Sequence, residues 1–185
     1  MTLDKYFLER DDSVLLIVDI QDKLAAVMKE KDKVVKNNLI LIEVSKMLKI
    51  PVVVTEQYPK GLGRTVPEIR AVLSEYRPVE KMTFNCCSAA AFLLEIKKTN
   101  RKKIIITGME THICVLQTAT GLLRDGFIPH VVQDAVCSRT KENWKTGTEF
   151  MRDAGAAVTC TETVLFQLLG VAGTEEFRAV SRMIK

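Results

Sequence analysis

Short β-branched runs recur along this chain with helix-length stretches between them, and that alternation leaves few folds open. Val14-Leu15-Leu16-Ile17-Val18 is almost purely apolar, and Val52–Thr55 follows Pro51. A weak run surrounds Val79, and further runs are Ile104–Thr107, Ile128–Val132 and Ala157–Thr159. An unbroken apolar run suits a strand covered on both faces. Between the runs, Val34, Val35, Leu39, Ile42 and Leu48 mark an amphipathic helix over about 32–49. Other helices are expected over about 68–74, 88–96, 113–124, 144–154, 161–169 and 174–184, with a Pro- and Gly-rich loop from Glu56 to Pro67. Strands separated by helices form a mostly parallel sheet with right-handed crossovers. The expectation is a three-layer α/β/α, Rossmann-like domain with six strands, filling residues 1–185 as one unit.

Composition removes several function classes. Hydrophobic residues make up 47% and charged residues 27%, as in ordinary globular chains. The net charge of +4 comes from 27 basic and 23 acidic residues, interleaved. The one dense basic cluster, Lys97, Lys98, Arg101, Lys102 and Lys103, reads as a helix C-terminus followed by a solvated loop. No nucleic-acid partner is expected. The longest apolar run falls well short of the ~18–20 residues of a membrane span, so no membrane partner is expected. Five cysteines, no C-x-x-C pair and a charged N-terminal stretch point to reduced thiols in the cytoplasm. With only His112 and His130, a histidine-rich metal site has little material.

Three residues stand near strand ends of one polarity. Asp19 ends the first run, Lys81 follows the third, and Cys114 lies just past the fourth. In an open parallel sheet those ends gather on one edge, where ligands bind. A carboxylate, an ammonium and a thiol there make a kit for cysteine-based hydrolysis. Cys114 falls early in a helix that follows Gly108-Met109-Glu110-Thr111-His112-Ile113, where the helix dipole and backbone N–H groups favour a thiolate and an oxyanion. Each residue also has a plainer reading: Cys114 as a small buried hydrophobe, Asp19 as a turn cap, Lys81 as a surface charge.

These segments resemble the isochorismatase-like cysteine hydrolase superfamily. The matching pieces are Leu16-Ile17-Val18-Asp19-Ile20-Gln21, then Glu80-Lys81, then Gly108-Met109-Glu110-Thr111-His112-Ile113-Cys114-Val115. The segment Val54-Thr55-Glu56-Gln57-Tyr58-Pro59-Lys60-Gly61-Leu62-Gly63 is similar to the branch called isochorismatase domain-containing proteins. The resemblance implies strand order 3-2-1-4-5-6, an Asp19–Lys81–Cys114 triad, a cis peptide at Met109–Glu110 and a homo-oligomer, dimer or tetramer. It implies that Cys114 forms a thioester with a small-molecule substrate, that Asp19 shuttles the proton and that Lys81 positions both. It places the oxyanion hole at the backbone N–H groups near Glu110 and Cys114.

The chain also departs from its relatives. Nicotinamidases carry Ala and Asp where this chain has Glu110 and His112, and a histidine-containing metal set after the second strand. No histidine lies between Glu56 and Lys81, so no metal or other cofactor is expected and nicotinamide is a poor candidate substrate. Isochorismatases proper cleave a vinyl ether without a cysteine nucleophile, so that activity is not expected either. Candidate substrate contacts are Gln21, Glu56, Gln57, Phe84 and Glu110. For Glu56 and Gln57 the alternative is loop packing, for Phe84 core packing, and for Glu110 a local salt bridge. The expected function is metal-independent hydrolysis of a small amide, ureido compound or ester. The alternatives are a vestigial binding or scaffold protein on the same fold, and a redox sensor using Cys86, Cys87 or Cys114.

Overall fold

The computed structural model describes residues 3–184. Six parallel strands are ordered β3-β2-β1-β4-β5-β6: β1 Ser13–Val18, β2 Val52–Gln57, β3 Val79–Lys81, β4 Lys103–Met109, β5 Ile128–Cys137 and β6 Ala157–Thr159. Every residue of β1 and β4 is buried, and their mostly apolar runs suit strands covered on both faces. The strand order reverses direction between β1 and β4. Their C-terminal ends therefore flank the crevice where ligands of such sheets bind.

Helices cover both faces. On one face, α2 (Lys31–Met47), α4 (Pro67–Val72), α8 (Thr161–Leu169) and α9 (Glu175–Met183) close over a core that includes Leu15, Ile17, Ile42, Ile105 and Leu165. On the other, α5 (Ala90–Lys98), α6 (Leu116–Arg124) and α7 (Lys141–Asp153) cover a core with Val14, Leu16, Phe92, Ile106 and Leu122. The short helices α1 (Asp22–Ala25) and α3 (Pro59–Leu62) sit in the loops after β1 and β2.

Four local features differ from the sequence expectation. β5 runs five residues further, to Cys137, because a bulge lets it rejoin β4: Ile106 pairs with Val131, but Gly108 pairs with Val136. The helix expected from Ser88 starts at Ala90, behind a 3-10 turn at Cys86–Ser88 that the Asn85 side chain caps. α7 starts three residues earlier than Trp144, because Thr140 caps it by accepting from Asn143 N–H. Lys103 of the basic cluster is not a solvated loop residue. It opens β4 and is buried, pairing with Glu9, while Arg101 Nη1 donates to the carbonyls of Arg10 (2.6 Å) and Ser13 (2.8 Å). That cluster lies at the strand starts, the edge opposite the crevice.

Candidate active site

Asp19 stands one residue past β1, in the left-handed region at φ 51°. Non-glycine residues rarely hold that conformation, though Asp tolerates it better than most. Its backbone is pinned on both sides: its N–H donates to Thr55 O at 3.2 Å, and its carbonyl accepts from Gln21 N–H at 2.9 Å. The turn drives a fully buried carboxylate into the crevice.

Lys81 ends β3, two strands away. At ~4.8 Å per strand the gap is roughly 10 Å, which a long side chain is needed to bridge. Lys81 Nζ lies 2.7 Å from Asp19 Oδ2, and both side chains are fully buried. The ammonium also donates to Gln57 Oε1 at 2.8 Å and to Thr83 O at 3.2 Å, with Phe84 O at 3.5 Å. Burial works against its charge, but the negative charge of Asp19 at hydrogen-bond distance outweighs it. The amino group is held above its usual range and stays protonated.

Cys114 completes the triangle, almost fully buried and close enough to Asp19 for the carboxylate's charge to act on its thiol. It does not sit in the first turn of α6. It lies in a π-turn, Thr111–Val115, that precedes α6 and follows the cis peptide Met109–Glu110. Two close approaches hold this segment in place. Gly108 has φ 122°, and a Cβ there would run into the Val18 carbonyl. A Cβ on Gly147 of α7 would come within 2.9 Å of His112 Cα. The electrostatics correct the expectation of a standing thiolate. Burial pushes the Cys114 thiol well up, the Asp19 charge pushes it further, and Lys81 only partly offsets them. At rest this is a neutral thiol held against a carboxylate.

The other candidates divide between two jobs. Gln57 shares a face of β2 with Thr55, and it orients Lys81 through Oε1 while its Nε2 donates to Met82 O at 2.8 Å. Gln21 is buried and saturated: it accepts from Gln57 N–H (2.7 Å) and donates to Gln57 O (3.0 Å) and Gly63 O (2.6 Å). It clamps β1 to the loop after β2. Glu56 points to the opposite face of β2, as period-two alternation dictates. Its Oε1 accepts from Thr65 N–H (2.6 Å), Thr65 Oγ1 (2.9 Å) and the Tyr76 hydroxyl, so it fastens the loop. Phe84 is 54% exposed, not in the core, beside Met82 at 69%. The Glu110 carboxylate accepts from Arg139 Nε at 3.2 Å and Arg139 N–H at 3.3 Å, the local salt bridge. His112 Nδ1 sits 2.9 Å from Ser138 Oγ.

Thr55 was not singled out for the site in the sequence, and Cys86 only as a redox candidate. Thr55 Oγ1 donates to Asp19 Oδ1 at 2.7 Å, and Cys86 Sγ lies 3.9 Å from that hydroxyl. The signal for Thr55 was available: it is two residues from Gln57 on a central strand. Cys86 comes from a turn whose path the sequence does not dictate. A cavity of about 520 Å³ opens elsewhere, lined by Lys29, Arg139 and Trp144 among others, and none of the three triad residues lines it. Among the described residues, no three His, Cys, Asp or Glu side chains gather as a metal-ligand set.

Residues 13–163 match the family model of the isochorismatase domain. The chain belongs to the isochorismatase family. Mouse isochorismatase domain-containing protein 2A is 33% identical over 175 residues, spanning 95% of this chain and 84% of that one. This places the chain beside that branch of the family. Among solved structures, the MAR1 ribonuclease of Caenorhabditis elegans is 36% identical with a TM-score of 0.89, covering 96% of this chain and 92% of its own. The YcaC product of Escherichia coli, described as an octameric hydrolase of unknown specificity, is 25% identical with a TM-score of 0.89, covering 96% and 90%. The six-stranded parallel sheet in order 3-2-1-4-5-6 is the fold these isochorismatase-family structures share, and the family supports a hydrolase.

Proposed function

We propose that this chain is a metal-independent cysteine hydrolase of a small amide, ureido compound or ester, working through a thioester on Cys114. One observation carries the reading: the buried carboxylate of Asp19, with the buried Cys114 thiol facing it, is paired with a buried ammonium 2.7 Å away. Because the thiol rests neutral, attack and proton transfer are coupled. Sγ bonds to the substrate carbonyl carbon as its proton passes to Asp19. The oxyanion meets the backbone N–H groups at Glu110 and Cys114. Collapse breaks the bond to the leaving amine or alcohol, which takes the proton back from Asp19. Water then attacks the thioester, giving its proton to Asp19, and the acid departs as Cys114 recovers its hydrogen. Lys81, paired with Asp19, holds the carboxylate in place for each proton transfer. Gln57, whose amide holds Lys81, acts through it, and Phe84 with Met82 offers the substrate an apolar rim.

Homo-oligomer formation fits the octamer named for the YcaC relative, and five free thiols fit a reducing compartment. The nematode relative carries a ribonuclease name, and no nucleic-acid role is proposed for this chain. The dense cations stand at the opposite sheet edge, where Lys103 and Arg101 are engaged with the chain itself. The test is a turnover screen of amides, ureido compounds and esters with wild type and Cys114→Ala. Hydrolysis lost in Cys114→Ala supports the proposal; hydrolysis that survives the substitution refutes it.

A further inference from the structure

We infer that Thr55 is a positioning residue for the proton acceptor of the site, aiming the Asp19 carboxylate at Cys114 and so setting how fast that thiol reacts. The inference rests on the reading of Asp19 as the base for Cys114. Asp19 has two oxygens and two fixed donors. Lys81 takes Oδ2 from β3, and the Thr55 hydroxyl takes Oδ1 from β2, each at 2.7 Å. The hydroxyl has little freedom to turn elsewhere. Thr55 is fully buried, and the Cys86 thiol stands 3.9 Å behind it as a weak donor into its lone pair. The Thr55 proton is thereby directed at the carboxylate.

The groups facing Asp19 come from every element packed on it: Lys81 of β3, Cys86 of the 3-10 turn and Cys114 of the π-turn, with Thr55 of β2. Only Lys81 carries a standing positive charge among them. A hydroxyl donor is therefore the second support for a buried negative charge, and hydrogen bonds to charged groups are the strong ones. Without it the carboxylate loses one of its two fixed donors. It also gains freedom to turn, so the thiol meets a less well-aimed acceptor.

The test needs no substrate. Alkylation of Cys114 by iodoacetamide is followed by peptide mass spectrometry from pH 5 to 9 in the full chain, for wild type, Asp19→Asn, Thr55→Val, Thr55→Ala and Thr55→Ser. Alkylation of Cys114 is expected to slow roughly tenfold in Thr55→Val across the range. Thr55→Ser keeps a hydroxyl and is expected to restore the wild-type rate. A merely structural role would not separate Ser from Val. Thr55→Ala serves the same comparison if the valine variant fails to fold. If Asp19→Asn slows Cys114 but neither Thr55→Val nor Thr55→Ala does, the Thr55 inference is overturned alone. If Asp19→Asn leaves the profile unchanged, the base reading falls and the inference falls with it.

Discussion

The buried ion pair makes Asp19 and Lys81 mutually dependent. Both side chains are fully buried, so each neutralises a charge the interior would otherwise reject. Lys81→Met leaves the Asp19 carboxylate with one fewer donor and is expected to lower stability by about 3–5 kcal/mol in urea unfolding. The double variant Asp19→Asn/Lys81→Met removes both charges and is expected to lose less than the sum of the single losses. Additivity of the two would mean the pair does not interact as its 2.7 Å separation requires. At this scale the convergence of Asp19, Lys81 and Cys114 was legible, because each follows an apolar run at the same strand polarity. The neutral resting state of Cys114 was not, since it comes from burial and from Asp19 at close range.

Among the elements, α7 has an unexpected part. Gly147 lets its backbone press on the π-turn, with His112 Cα only 2.9 Å from where a Cβ would stand. Gly147→Ala favours the helix by about 1 kcal/mol intrinsically but forces the turn to move, and overpacking costs ~1–3 kcal/mol. The expected outcome is a net loss of stability in urea unfolding, together with slower alkylation of Cys114. A gain in stability with unchanged alkylation would show that the contact relaxes freely. The strand set and most helices were legible from periodicity, but this contact was not. It joins residues 35 apart, and a π-turn leaves no apolar rhythm to read. β2 shows the converse. Its alternation already separates Thr55 and Gln57, which face Lys81 and Asp19, from Glu56, which fastens Thr65 and Tyr76 on the other face.

For the whole molecule, burial of titratable groups sets a pH window for folding. Burial holds Cys86 up at about 11, and Cys87 and Cys137 at about 12, against an ordinary value of 9.0. The folded state keeps these protons when the unfolded chain loses them. Their contribution is full below about pH 9 and declines as pH rises toward 12. His130 runs the other way. Burial and then the Lys103 charge lower it from 6.5 to about 4, so its contribution is full above 6.5 and declines as pH falls toward 4. Urea midpoints are expected to be highest between about pH 6.5 and 9 and to fall on both sides, with Cys137→Ala softening the alkaline fall. A midpoint that rises from pH 9 to 10.5 would contradict this. Sequence carried the class of fold at this scale, since alternating strands and helices admit little else. It did not carry which histidine would be buried beside a lysine.

The central claim is that Cys114 forms the covalent intermediate, and the most direct test is to catch it. Wild type and Asp19→Asn would be quenched in acid within seconds of mixing with an activated ester or amide, and the intact mass and digested peptides measured. The account expects an acyl adduct on the Cys114 peptide that forms and decays in wild type and fails to turn over in Asp19→Asn. An adduct only on another residue such as Cys86, or steady hydrolysis with Cys114 replaced by Ala, would contradict it.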